Sequence, residues 1–308
     1  MNAETGAPAI TASEARSLIN TNVRDSALLA DVTVRVWGGE RTDKKIMDKA
    51  KQDAGAVGNV GRAVKNLLAG ADANLKACKS AYAAVRMAHY RLTLPFVSDP
   101  TADRMSGSRL LPNVLFNRYL EAMSKARNSA HQALDAFCDS YDADVAKAKA
   151  NLAGLADADY PHVEAVRRMF HVSFDFTPVP MGADFVNLPD AMMKKLADNL
   201  DRRQQVAVES ARNAMWNEVR ERITHFAGKL TDPEARFKAT TVEGVTELAD
   251  LLPGWAIDGD PRALEVAADI ARMAGVLDPK ALRKNPSVRT DAAAQAQAVV
   301  DKLSAWGL

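Results

Sequence analysis

Apolar residues recur every three or four positions over three long stretches of the chain, and this spacing predicts three long helices. The first stretch covers residues 61–92, the second runs from Pro112 to about Leu152, and the third runs from Pro189 to about Leu230. The first stretch has a heptad-like period, which is typical of a coiled-coil or bundle seam. Its seam positions are Val64, Leu67, Ala71, Leu75, Cys78, Tyr82, Val85 and His89. A loop joins the first two helices, so we expect them to form an antiparallel hairpin.

Strict alternation of apolar and polar residues predicts two strands. The first is residues 32–37, in which the valines share one face, and the second is residues 172–176, which ends before Pro178. Neither segment has another convincing partner in the sequence. Because unpaired backbone groups are costly when they are buried, we expect the two strands to pair antiparallel, within one chain or between two.

The remaining segments predict shorter elements. Residues 40–60 are charged and then rich in glycine, which predicts a flexible connector with one turn of helix around Lys44–Lys51. The C-terminal quarter has a capping side chain before a proline at four places, which predicts short helices joined by tight turns. These places are Asp232-Pro233, Asp260-Pro261, Asp278-Pro279 and Asn285-Pro286.

Together these elements predict a mainly α fold. It consists of a long antiparallel helical hairpin or bundle, a minor two-stranded antiparallel β element and a C-terminal cluster of short helices. We expect a disordered N-terminus at 1–12, a long-helix domain with the strand pair at 13–230, and a short-helix subdomain at 231–308. About two-thirds of the residues should be helical, well above the usual third.

Composition favours a soluble protein without a cofactor. The 308 residues are 47% hydrophobic and 26% charged, as in ordinary globular proteins. No apolar run approaches the length of a membrane span, and the first ten residues do not resemble a signal peptide, so we expect a cytoplasmic location. The two cysteines have neither disulfide-framework nor zinc-finger spacing. No catalytic motif is present, and the spacing of His131, Asp135 and Cys138 is weak support for a metal, so we predict no enzyme, cofactor or metal site.

Charge is distributed unevenly along the chain. The net charge is +1, yet residues 61–127 contain eleven Lys and Arg against four Asp and Glu. Six of these cations fall within an arc of about 140° on the first predicted helix. They are Arg62, Lys65, Lys76, Lys79, Arg86 and Arg91. We take this basic stripe as the candidate binding site.

Three interpretations of the basic stripe remain open. Nucleic acid could bind along it through its phosphates, with nearby aromatic residues stacking on bases. Alternatively, the stripe is a solvated helix face whose charges pair with the acidic residues Asp135–Asp144 of the second helix. The third interpretation is a contact with a protein partner.

Short motifs in a fixed order resemble an uncharacterised bacteriophage and prophage family, defined only as a domain of unknown function. The matching residues are Leu94-Pro95-Phe96, Arg109-Leu110-Leu111-Pro112, Tyr160-Pro161, Phe170 to Phe176, Pro178-Val179-Pro180, Asp184-Phe185 and Trp216. The resemblance implies a phage or prophage protein encoded near ATPase and DNA-metabolism genes. It implies no catalytic residues.

Two functions are therefore expected. The first is a non-enzymatic phage or prophage accessory protein that self-associates, most simply as a dimer, and binds a protein partner such as an ATPase or a host factor. The alternative is a sequence-independent DNA-binding protein in phage recombination or DNA protection. Binding to DNA that falls steeply with salt would favour the second.

Overall fold

A computed structural model describes residues 23–55, 58, 61–98, 107–153, 160–232, 239–257, 259–275 and 277–308, apart from the side chains of Lys45 and Ala239. About 70% of the structure is helical, which confirms a mainly α fold. The chain divides into two compact units. The first unit is Met1–Asp31, Leu92–Asn117 and Asp175–Leu308, and the second unit is Val32–Arg91 and Arg118–Phe174.

The predicted disordered residues 1–12 lie outside the described residues, and the boundary near residue 230 stays a prediction. Within the described ranges, none of the helices combines the length and apolarity needed to cross a membrane.

A four-stranded sheet replaces the predicted two-stranded element. Its strands are β1 (Ala27–Arg35), β4 (Leu94–Pro95), β5 (Arg109–Pro112) and β6 (His171–Pro178), in the order β4-β5-β1-β6. The two predicted strands are therefore neighbours, as β1 and β6. The prediction of a single pair was wrong because β1 also pairs antiparallel with β5, with Leu28 opposite Leu111.

A small ribbon precedes the first long helix. Strand β2 (Glu40–Thr42) pairs antiparallel with β3 (Val64–Asn66), and helix α1 (Lys44–Ala54) lies between them in the chain. Asp43 caps α1, because its Oδ1 accepts the backbone N–H of Ile46 at 3.1 Å. The predicted flexible connector is thus an ordered β-α-β segment where the structure describes it. Strands of only three residues are too short to show alternation in the sequence.

The second unit contains helices α2 (Ala73–Leu92), α3 (Phe116–Leu152, from Arg118 onward) and α4 (Val163–Arg167). The first predicted helix was expected to begin at Gly61, and this was wrong. Gly70 has a φ of 70°, in the left-handed region, so a right-handed helix cannot continue through it. A Cβ at Gly70 would also lie 2.7 Å from Asn151 Nδ2, so the backbone approaches α3 closely there.

Hydrogen bonds link α2 to α3, and aromatic contacts surround Phe137 of α3 within the second unit. Asn74, in the first turn of α2, donates to Asp144 Oδ2 at 3.1 Å, and His89, in its last turn, hydrogen-bonds Tyr119 Oη at 2.9 Å. Phe137 of α3 is fully buried and contacts the rings of three other aromatic residues. These are Trp37, Tyr141 and Phe170.

Five α-helices follow β6 in the described part of the first unit. They are α5 (Asp190–Thr231), α6 (Ala239–Trp255), α7 (Pro261–Ala274), α8 (Pro279–Lys284) and α9 (Pro286–Ala305). The third predicted helix is confirmed as α5. Asp260, Asp278 and Asn285 cap α7, α8 and α9 as predicted, each with proline at the first helical position. The predicted start at Pro233 lies outside the described residues.

A cation between two indole rings joins three of these helices. The Arg262 guanidinium lies 5.8 Å from the Trp216 ring and 5.9 Å from the Trp306 ring. Arg262 also donates to Asp260, and these hydrogen bonds hold the pKa of the Asp260 carboxyl below its usual range. The arrangement fixes the start of α7 against α5 and the end of α9.

Candidate binding surfaces

The six residues of the basic stripe do not share one helix. Arg62 lies in the loop before β3 and Lys65 lies within β3, whereas Lys76, Lys79, Arg86 and Arg91 are on α2. The prediction of a stripe on a single helix was therefore wrong for Arg62 and Lys65, because the helix does not continue through Gly70 to these two residues. All six residues belong to the second unit.

Lys65 is buried rather than available to a ligand. Its side chain is only 7% exposed, and its Nζ lies 3.0 Å from Asp43 Oδ2. The same carboxylate caps α1, so this ion pair joins β3 to the start of α1. Sequence spacing could not reveal the pair, because 22 residues separate the two partners.

Three cations of α2 contact groups of their own unit. Lys76 Nζ lies 2.9 Å from Asp72, and the hydrogen bond from Lys76 lowers the pKa of that carboxyl. Lys79 donates to the backbone oxygen of Gly38 at 3.3 Å, and Arg86 donates to the backbone oxygen of Val34 at 2.6 Å. Arg86 and Lys79 thus hold the chain at the end of β1 and just after it.

The acidic residues of α3 have other partners than predicted. Asp135 pairs with Arg167 of α4, and Asp144 accepts hydrogen bonds from Asn74 and Ser140. The interpretation that assigned Asp135–Asp144 to the basic stripe therefore named the wrong partners. The Lys76 side chain is 73% exposed, so it is accessible to a ligand.

The two units carry opposite net charge. The second unit has 19 Lys and Arg against 13 Asp and Glu, which gives +6, and the first unit has 21 against 26, which gives −5. A charge of +6 on one unit attracts anionic surfaces more strongly than the overall +1 suggests.

Buried thiols do not offer reactive chemistry. Cys78 and Cys138 are both free and buried. Burial raises the pKa of the Cys78 thiol to about 12 and also raises the pKa of Cys138, so neither forms the nucleophilic thiolate near neutral pH. Across the described part of the chain, no group of His, Cys, Asp and Glu side chains could hold a metal ion.

The residues that carry the phage-family resemblance occupy structural positions. Arg109 is 6% exposed and its Nε donates to Thr93 Oγ1 at 2.8 Å. Tyr160 Oη donates to the backbone oxygen of Leu67 at 2.9 Å, and Gln204 donates to the backbone oxygen of Pro180. Leu110 and Trp216 are buried. The contacts of Arg109, Tyr160 and Gln204 are therefore structural, whereas Asp184 of the same motif series is exposed and pairs with Arg24.

Exposed apolar side chains cluster along the chain where α5 begins. Val186, Leu188 and Met192 are 64%, 38% and 53% exposed, and we name this set the apolar rim. It belongs to the first unit. Sequence reasoning missed the apolar rim, since Val186 and Leu188 precede the helix and fall outside its three-and-four spacing. The run Val-Asn-Leu-Pro before the helix was the available signal.

Comparisons of the chain with protein-family models, with curated proteins and with solved structures found no significant match.

Proposed function

We propose that this chain is a non-enzymatic phage or prophage accessory protein that self-associates and binds a protein partner. The apolar rim is the observation that carries this proposal. Exposed apolar side chains that lie close together commonly mark protein interaction sites, whereas isolated ones need no explanation. The proposal includes the antiparallel α2–α3 hairpin as the frame of the second unit.

A second copy of the chain is the occupant that we propose for the apolar rim. In a two-fold dimer both copies use the same surface, so one apolar patch per chain is sufficient. Val186, Leu188 and Met192 lie within seven residues, which allows a compact contact. Burying such side chains contributes about 1.5–3 kcal/mol each when burial is complete.

We expect the wild-type protein to have twice the 33.2 kDa mass of one chain when light scattering is measured at micromolar concentration. The double variant Val186→Asp, Met192→Asp should have the mass of one chain, because two carboxylates would be desolvated at the contact. Leu264→Asp is the matched control. Leu264 is 58% exposed on α7, outside the apolar rim, so this variant should remain a dimer.

A monomeric wild-type protein would contradict self-association. A double variant that stays dimeric while remaining folded by circular dichroism would show that the copies meet elsewhere.

The charge of the second unit supports the alternative function, sequence-independent DNA binding. A phosphate backbone is attracted by a unit with a net charge of +6, and Lys76 lies on its surface. The four stripe residues on α2 remain the candidate contacts in this alternative. Lys79 and Arg86 donate hydrogen bonds to backbone oxygens of the protein, so fewer of their N–H groups are available to a phosphate. We therefore rank this function second.

If the protein binds DNA, Lys76→Glu combined with Lys79→Glu should weaken its affinity for all sequences alike. The slope of log affinity against log salt concentration should fall by about one unit for each contact that is lost. Electrophoretic shift titrations at several salt concentrations measure both quantities. Unchanged affinity in a folded double variant would exclude the basic stripe as a nucleic-acid site.

A further inference from the structure

A groove in the first unit lies beside the end of α5. Its volume is about 440 Å³, and it is lined by residues of α5, α8 and α9. Leu230 and Leu282 form an almost fully buried apolar floor, and Pro286 is exposed at the edge. The groove therefore combines an apolar floor with an open side, as peptide-binding grooves do.

Among the described residues that line the groove there are three cations and no carboxylate. Arg283 and Lys284, at the end of α8, are exposed and have no ion-pair partner among the described residues. Arg289 is oriented by α5, because its Nε donates to the backbone oxygen of Leu230 at 3.0 Å. A cation at a helix C-terminus is stabilised by the helix dipole, which helps to keep Arg289 in place.

The charge of the groove contrasts with that of its surroundings. The first unit as a whole has a net charge of −5, yet the groove lining carries three positive charges. A nucleic acid spreads its phosphates over a long surface and would be repelled by an acidic unit. A short acidic peptide can instead confine its carboxylates to the basic groove. The charge distribution therefore favours an acidic peptide over a nucleic acid as the ligand.

We infer that the groove binds an acidic, apolar peptide segment of a protein partner. Carboxylates of the segment pair with Arg283 and Lys284, while its apolar side chains cover Pro286. The inference rests on the proposed function, because it names the partner chemistry for a protein-binding role. It does not depend on the apolar rim, which we assign to a second copy of the chain.

Fluorescence polarisation of the full chain with a labelled 12-residue peptide of Glu and Leu tests the inference. A peptide in which Gln replaces every Glu is the reference probe. We expect tighter binding of the acidic peptide, and we expect Arg283→Glu with Lys284→Glu to weaken that binding at least about ten-fold. Ala293→Glu, which places a carboxylate inside the groove, should weaken it as well.

Lys194→Glu with Lys195→Glu is the matched control. These two lysines are exposed on α5 in the same unit and do not line the groove, so the double variant has the same change of charge. Its affinity for the acidic peptide should stay within about two-fold of wild type, because distant exposed charges are screened by salt.

Several results would overturn the inference. The first is equal affinity for the Glu and Gln peptides. The second is an equal loss of affinity for the acidic peptide in the two charge-reversed double variants. The third is tighter binding of duplex DNA than of the acidic peptide at the groove. Light scattering of the same samples separates this inference from the proposed self-association. A dimer that does not bind the peptide refutes only the groove, and a peptide-binding monomer refutes only the dimer.

Discussion

Phe137→Ala should lower the free energy of unfolding by about 3–5 kcal/mol, the loss typical of a fully buried aromatic side chain. Phe137 has no exposed surface, and its ring lies 6.2 Å from Trp37, 5.8 Å from Tyr141 and 6.1 Å from Phe170, measured between centroids. Removing the ring leaves a cavity and also removes three aromatic contacts. The neighbouring rings are large and rigid, so the cavity cannot collapse easily.

Urea unfolding followed by circular dichroism measures this loss, and hydrogen exchange resolved by peptide locates it. The exchange of amides in α2 and α3 should accelerate most, because these helices belong to the second unit together with Phe137. Met169→Ala is the control. Met169 is 44% exposed in the same unit, so its truncation should change stability by no more than about 0.5 kcal/mol. Acceleration confined to the first unit would contradict the assignment of this core.

The long elements could be predicted from sequence because their signals are long. Helix α5 repeats its apolar spacing over 42 residues, and the caps at Asp260, Asp278 and Asn285 use local chemistry that needs no tertiary information. The start of α2 could not be found in this way. Val64, Leu67 and Ala71 have helical spacing, but the positive φ of Gly70 interrupts the helix, and spacing does not report φ.

Short strands and paired charges depend on contacts between distant residues. Strands β4 and β5 have two and four residues, too few to show alternation, and β5 is buried throughout. The basic stripe was predicted from angular position on a helix, which places charges on a face but does not identify their partners. Lys65 shows the consequence, because the position that appeared as helix surface in sequence is a buried strand residue.

The groove was missed for a related reason. Arg283 and Lys284 stand just before the Asn285-Pro286 cap, and the sequence pattern there predicts only a helix start. Leu230 and Arg289 reach the same groove from positions more than fifty residues apart. A dibasic pair at the end of a short helix was the available local signal, but only the fold brings the apolar floor beneath it.

Lys65→Met should lower the free energy of unfolding by about 2–3 kcal/mol, somewhat less than for a completely buried ion pair that loses one partner. The Asp43 side chain is only 15% exposed, so in this variant a mostly buried carboxylate loses its lysine partner. Lys76→Ala is the matched comparison. Lys76 is 73% exposed and its pair with Asp72 is screened by water, so the loss should not exceed about 0.5 kcal/mol.

The double variant Lys65→Met, Asp43→Asn should recover most of the stability that Lys65→Met loses. It removes the carboxylate that has lost its lysine partner, and asparagine still caps α1 by accepting the N–H of Ile46, as Asp43 does at 3.1 Å. Urea unfolding of the three variants measures these differences. If Lys76→Ala were as destabilising as Lys65→Met, or if the double variant were as unstable as the single one, burial of the ion pair could not be the cause. If these results are obtained, a loss of DNA binding in Lys65→Met would be explained by destabilisation of the β2–β3 ribbon and α1. A loss of DNA binding in a folded Lys76 variant would instead indicate that Lys76 contacts the DNA.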